Sequence, residues 1–136
     1  MSTRLKDKLE KIRQIIDELA EESARGTPIV VEGKKDVETF RFLGLQGPFF
    51  SVKTSGKTFE QAFDEIQQSG NSQVVLLLDF DRRGKEATMF FKKNLEIAKI
   101  KPNLSFWNSL YALVGREIQC VESLTAYLET LQHKII

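Results

Sequence analysis

The chain lacks several things, and each shortage removes a class of protein. Among 136 residues there is one cysteine, Cys120. A single thiol forms no internal disulfide and builds no cysteine-based zinc site. The one histidine, His133, stands alone near a fraying helix end and is expected to be neither ligand nor catalyst. Charge of one sign is also scarce: the formal net charge is +1. Dedicated nucleic-acid binders are far more basic, so any grip on phosphates must come from local clustering. No apolar run approaches the roughly 20 residues of a membrane span. The opening Met1-Ser2-Thr3-Arg4-Leu5-Lys6 lacks a signal peptide's apolar stretch. These absences predict an intracellular, cytoplasmic protein with no membrane association. Repeats and low-complexity segments are missing too. What remains, 41% hydrophobic and 29% charged, describes one globular domain that buries about two-thirds of its unfolded surface.

The most informative run that is present is Leu76-Leu77-Leu78-Asp79-Phe80-Asp81-Arg82-Arg83-Gly84. Burial accounts for Val74 to Leu78, but burial asks for no Asp-x-Asp at the exit. Side chains alternate along a strand, so Asp79 and Asp81 point the same way with Cα atoms roughly 6.5–7 Å apart. Two hard oxygen donors at the end of a buried strand suit a Mg²⁺ that keeps most of its waters. A second exit of this kind lies upstream, where Pro28-Ile29-Val30-Val31 runs into Glu32-Gly33-Lys34-Lys35-Asp36. Ligands of open parallel sheets gather outside the carboxyl ends of the strands. If the two strands are neighbours, Glu32 faces both aspartates across one crevice. Two like charges about 4 Å apart repel by about 4 kcal/mol at an effective dielectric near 20. The cluster needs a counter-charge, from a divalent cation or from Lys34, Lys35, Arg82, Arg83 and Lys85. The same five side chains are candidates for holding nucleic-acid phosphates. Gly33 and Gly84 are the expected structural turns, Gly84 allowing a tight strand-to-helix junction and close approach to the backbone. Asp36 is expected to cap the following helix.

Elsewhere the pattern alternates. Residues 4–24 carry an apolar seam of Leu5, Leu9, Ile12, Ile16 and Leu19, which predicts a helix packed on the sheet, with a dimer or partner seam as the alternative. Strands are expected at 28–32, 49–53, 74–78 and Leu104–Trp107. Helices are expected from Asp36 to Leu43, over 58–68 with a Thr58/Gln61 capping box, from Lys85 to Ile97 with Met89, Phe90 and Ile97 inward, through Leu113, and over Val121–Gln132. Strand–helix alternation implies an α/β fold with a parallel sheet of about four strands covered on both faces. Ser55-Gly56-Lys57-Thr58 imitates the end of a Walker A loop, but Ser51 occupies the place of its first glycine, which excludes nucleotide hydrolysis there. Trp107 is expected in the core.

Val31-Glu32-Gly33 and Asp36, followed by Asp79-Phe80-Asp81-Arg82-Arg83-Gly84, resemble a Toprim domain over roughly residues 27–116. Toprim domains occur in topoisomerases, bacterial-type primases, certain nucleases and the ribonuclease that matures the smallest ribosomal RNA. The chain looks most like the small stand-alone Toprim proteins of archaea and bacteria. The resemblance implies a Rossmann-like Toprim core over 27–117, preceded by a helix within 1–26 packed on it and followed by a helix within 118–136. It implies Glu32 as general acid/base and Asp79 and Asp81 as Mg²⁺ ligands; Glu32 is also expected to join the metal set, and Mn²⁺ is the alternative cation. Flanking acids would make Glu32 a better proton carrier near neutral pH. Tyr111 and Tyr127 do not resemble the nucleophile of topoisomerases, which belongs to a separate domain. The expected function is Mg²⁺-dependent phosphodiester chemistry on nucleic acid, RNA favoured over DNA, most simply as a nuclease or RNA-processing enzyme. The rivals are a non-catalytic RNA- or ribonucleoprotein-binding module and one subunit of a larger nucleic-acid enzyme, docking through the helix at 4–24.

Overall fold

The structure, a computed structural model, describes residues 3–53 and 56–135. Its elements run α1 (Thr3–Ala24), β1 (Ile29–Val31), α2 (Lys34–Phe42), β2 (Phe49–Ser51), α3 (Phe59–Gln68) and β3 (Gln73–Leu76). They continue as α4 (Arg82–Ile97), β4 (Lys101–Asn103), α5 (Ser105–Val114), a 3₁₀ turn at Val121–Ser123 and α6 (Leu124–Ile135). The four strands form one all-parallel sheet in the order β2-β1-β3-β4. Ile29 pairs with Phe49 on one side and Val75 on the other.

Alternation along the strands builds two cores. Ile29, Val31, Val75 and Leu77 face α1, α2, α5 and α6. Val30, Val74, Leu76 and Leu78 face α3 and α4. Every residue of β1 is therefore buried, which is why the strand is continuously apolar. The order also creates a switch point. The chain leaves β1 towards β2 and leaves β3 towards β4, with the helices following β1 and β3 on opposite faces. The carboxyl ends of β1 and β3 thus border an open crevice, where parallel sheets bind ligands.

The apolar seam of α1 is consumed inside the chain. Leu9, Ile12, Ile16 and Leu19 are buried in the first core with α5 and α6. Lys8 pairs with Glu117 at 2.8 Å and Arg13 donates to Gln132 at 2.9 Å, fastening the helix further. A partner engaging α1 would meet its charged outer side, not the seam.

Several expected boundaries move, each for a local reason. The last strand is Lys101–Asn103, not Leu104–Trp107. It lies at the sheet edge, where Pro102 costs no ladder hydrogen bond, so the proline sits in the strand instead of ahead of it. Asn103 then accepts from the Ser105 amide at 2.9 Å, starting α5 early and placing Trp107 on a helix. Helix α4 begins at Arg82 instead of Lys85, because Asp81 caps it. Its inward stripe is Gly84, Ala87, Thr88, Phe91 and Leu95, while Met89 and Ile97 are exposed and Phe90 is half-buried. Helix α2 starts at Lys34 with Gly33 in the capping place, so Asp36 is not the cap residue. It lies one turn in and reaches back, its carboxylate accepting from the Gly33 amide at 2.9 Å. The Thr58/Gln61 capping box forms as expected. Ser55 of the Walker-like run lies outside the described residues, and Lys57 is paired with Glu65 at 2.5 Å. Among the described residues no helix is long and apolar enough to cross a membrane.

Candidate metal centre

Glu32 directly follows β1 and is 5% exposed. Its carbonyl accepts from the Lys53 amide at 2.9 Å, continuing the ladder beyond β2. Its Oε1 lies 2.6 Å from Lys53 Nζ. The contact is an ion pair without hydrogen-bond alignment, so this buried oxygen receives no directed donor. Asp36, equally buried, lies just beyond on the first turn of α2.

Across the crevice, Leu77 extends the β3 ladder by donating to Val30 at 2.9 Å, and the chain then turns outward. Asp79 accepts from the Val121 amide at 3.0 Å, and the Phe80 amide donates to the Gln119 carbonyl at 2.7 Å. The segment between α5 and α6 is thereby stitched over the end of β3. Asp81 Oδ1 accepts from the Gly84 amide at 2.7 Å and caps α4. The junction is tight: a Cβ on Gly84 would lie 2.1 Å from the Asp79 carbonyl oxygen. Gly33 is different. Its φ of −152° is extended backbone open to any residue, and a Cβ there would meet nothing within 4 Å. No structural demand for glycine exists at position 33.

Burial pushes the Asp79 carboxyl up to about 7, and the charges of Asp36, Glu32 and Asp81 add to the rise against the Val121 hydrogen bond. Burial raises Asp36 as well, with Glu122 and Glu32 contributing. The crevice is thus an acidic site in which Lys53 pairs with Glu32 and no ion pair reaches Asp79 or Asp81 among the described residues. Among the described residues, the metal-ligating atoms that come within 4.8 Å of one another belong to Asp79, Asp81 and Cys120. Glu32 is not in that set, and its carboxylate is turned to Lys53. Cys120 enters through the segment stitched over β3, and burial followed by Asp79 and Asp81 raises its thiol.

The five basic candidates do not neutralise the acids. Lys34 and Lys35 open α2 and Arg82, Arg83 and Lys85 open α4, all exposed at the rim. Arg82 lies 3.3 Å from Glu86, an exposed pair of small energetic weight. Lys85 donates to the Tyr111 hydroxyl at 2.8 Å. The counter-charge to Glu32 comes from Lys53, just past β2, which nothing in the sequence marked as its partner. No local signal pointed to Cys120, because a loop forty residues downstream brings it to the site.

The donor set fits a divalent cation. Two carboxylates converge beside the Cys120 thiol, a buried glutamate oxygen nearby lacks a directed donor, and burial raises the Asp79 carboxyl to about 7. Oxygen donors of this kind suit Mg²⁺ and Mn²⁺.

Comparison with known proteins agrees with this geometry. The Toprim domain family matches residues 27–106, a span that holds both acidic strand exits. A UPF0292 protein of Methanosarcina barkeri is 37% identical over 127 residues, covering 93% of this chain and 87% of that one. Another UPF0292 protein, from Methanocaldococcus jannaschii, is 33% identical over 119 residues, covering 88% and 91%. A solved structure of an Aquifex aeolicus protein superposes with a TM-score of 0.65 at 25% identity, over 81% of this chain and 94% of that one. A four-stranded parallel sheet with acids at its switch point, matched over most of its length, places this chain in the Toprim-domain family, alongside the UPF0292 proteins.

Proposed function

We propose that the protein is a Mg²⁺- or Mn²⁺-dependent phosphodiesterase acting on nucleic acid, most simply a nuclease or RNA-processing enzyme. The observation that carries this reading is the acidic crevice at the β1/β3 switch point, where the Asp79 and Asp81 carboxylates converge and burial raises the Asp79 carboxyl to about 7. Asp79 and Asp81 hold the cation, with Glu32 close enough to add to the field that Asp79 feels. The bound cation supplies charge neutralisation at the scissile phosphate. Glu32 moves the proton of the attacking water or the leaving oxygen, and Lys53 keeps its carboxylate oriented at the strand end. The exposed Lys34, Lys35, Arg82 and Arg83 sit at helix amino termini, where backbone amides also favour phosphate, and they steer the polynucleotide. RNA is the favoured substrate.

The test is incubation of the purified protein with labelled RNAs and DNAs, in Mg²⁺, in Mn²⁺ and in chelator, beside Asp81→Asn. Asparagine caps helices as well as aspartate does, so this variant removes charge while keeping α4 in place. Metal-dependent cleavage lost in Asp81→Asn is the expected result. Equal cleavage by both proteins sinks the proposal. Because Asp81 already caps α4 and Glu32 is already paired with Lys53, a non-catalytic RNA-binding module is the second reading. It predicts retention of one RNA without turnover.

A further inference from the structure

Beside the acidic crevice lies a hollow of about 660 Å³ whose wall includes Phe80, Asp81, Lys85, Tyr111, Gly115 and Gln119. That volume is in the range of small-molecule and nucleotide sites. Phe80 stands between the two aspartates, so the hollow begins where the crevice ends. Its most distinctive member is Tyr111, on α5. Trp107 stacks on the ring at 5.1 Å between centroids and 14° between planes, and Phe80 leans on it at 5.7 Å. Lys85 donates to its hydroxyl at 2.8 Å and stands 4.7 Å from the ring centre. A Cβ on Gly115 would lie 2.4 Å from Tyr111 Cδ1. Gly115 has ordinary helical angles, φ −61° and ψ −19°, so it is close approach that requires glycine there, of the Tyr111 ring and of the Tyr111 carbonyl oxygen at 2.6 Å.

The ring is therefore fixed by its neighbours, yet Tyr111 as a residue remains 37% exposed. A core aromatic would be covered, and an ordinary surface tyrosine would keep its rotamer freedom. A fixed, half-open ring loses little entropy when a flat ligand stacks on it. Unpaired nucleobases are held on aromatic side chains in this way, beside cations that meet the backbone. Lys85 supplies the cation and Gln119 an amide able both to donate and to accept.

We propose that Tyr111 and Lys85 form a nucleotide subsite next to Asp81, in which an unpaired base stacks on the exposed part of the Tyr111 ring and its phosphate faces Lys85. The inference rests on the nucleic-acid reading of the crevice. It narrows the substrate to a strand with an unpaired nucleotide beside the scissile phosphate, since a base inside a duplex is not free to stack on a side chain.

Binding is measured by fluorescence anisotropy in chelator, so that no turnover occurs, with a short labelled single strand in RNA and DNA forms and with the matching duplex. Tyr111→Leu is expected to weaken single-strand binding by about ten- to a hundredfold, the usual weight of one stacked base. Tyr111→Phe keeps the ring and is expected to bind close to wild type, and the duplex is expected to bind poorly throughout. Thermal melts show whether each variant folds. If Tyr111→Leu does not fold, the wild-type chain carries the test, because Trp107 is its one tryptophan. Trp107 emission is expected to change as the single strand saturates the site, and unchanged emission at saturation overturns the subsite. Cleavage lost in Asp81→Asn, combined with full single-strand binding by Tyr111→Leu, overturns the subsite and leaves the phosphodiesterase reading intact. Binding lost in Tyr111→Leu, with no cleavage in any metal, supports the subsite and overturns that reading. A wild-type chain that binds no single strand overturns the subsite.

Discussion

Lys53 holds Glu32 twice, through its amide on the Glu32 carbonyl at 2.9 Å and through its ammonium 2.6 Å from Oε1. The two side chains differ in setting: Glu32 is 7% exposed and Lys53 is 43% exposed. The carboxylate is almost closed to solvent, whereas the ammonium retains part of its hydration. The pair is thus a buried anion tethered by a cation at the surface, at the end of the strand that opens the crevice.

Lys53→Met leaves that anion without its cation. Losing one partner of a fully buried pair costs about 3–5 kcal/mol. Solvent screening at Lys53 lowers the expectation here to about 1–2 kcal/mol. Urea unfolding is the check, read as a lower midpoint with an unchanged slope. Adding Glu32→Gln to Lys53→Met is expected to recover part of the loss, since no buried charge then remains. Strict additivity of the two changes would mean that the ion pair has no energetic weight.

The two glycines flanking the crevice separate cleanly. At Gly84 an added Cβ would meet the Asp79 backbone oxygen at 2.1 Å, and neither atom belongs to a flexible side chain. Gly84→Ala must open the β3–α4 junction and displace both aspartates, at a cost of about 3 kcal/mol or more, beyond ordinary overpacking. At Gly33 the space is free and the backbone extended. Gly33→Ala exchanges a slightly poorer cap for a stiffer unfolded chain, and the two effects cancel to within about 1 kcal/mol. Thermal unfolding together with Mn²⁺ titration followed by electron paramagnetic resonance checks both variants. Weakened Mn²⁺ binding is expected for Gly84→Ala alone.

Asp79 ties stability to pH. Its carboxyl ionises at about 7 in the folded chain, against about 3.9 when unfolded. Between those values the folded state binds the extra proton. The contribution of Asp79 to stability is therefore largest below about pH 4, falls as pH rises to about 7, and is flat above. Asp36, raised in the same direction by burial, adds to this slope. Asp79→Asn keeps an acceptor for the Val121 amide and is expected to flatten most of the slope. Millimolar Mg²⁺ is expected to raise the melting temperature near pH 8 and to do little near pH 5, where the cation must displace a proton. A wild-type slope no steeper than that of Asp79→Asn would remove Asp79 as its source.

The sequence discloses this fold where a residue type defies its surroundings. Acids ending two apolar strands have no role in a core, so the exits of β1 and β3 and the crevice between them were readable. The two-sided burial of β1 was equally plain in Ile29-Val30-Val31. Reading failed where position in the sheet or distant chain decided the outcome. Pro102 reads as a breaker until β4 is known to be an edge strand. Met89 and Ile97 look apolar enough to face inward, but the start of α4 at Arg82 and the close packing of Gly84 against Asp79 set the helix rotation. The counter-ion of Glu32 lies just past the neighbouring strand β2, and Cys120 arrives through a loop anchored by Asp79. Neither relation has a local signature.

Cys120 can report on the charge of the crevice. Burial, then Asp79 and Asp81, hold its thiol above the ordinary range, and Glu122 and Asp36 contribute. The thiolate is the reactive form, so alkylation near pH 7.5 is expected to be slow despite partial exposure of the side chain. Removing negative charge from beside the sulfur reverses this. The double variant Asp79→Asn/Asp81→Asn is expected to react several-fold faster, and Mg²⁺ is expected to accelerate the wild-type chain by neutralising the same two carboxylates. Mg²⁺ should leave the double variant's rate unchanged, because its binding groups are gone. Steric cover by a bound cation would act in the opposite direction, slowing the wild-type reaction. A rate increase with Mg²⁺ that vanishes in the double variant therefore assigns cation binding to Asp79 and Asp81 without reference to any substrate. Equal rates for wild type and double variant would mean that these carboxylates do not govern the field at Cys120, and the anionic crevice would lose its electrostatic basis.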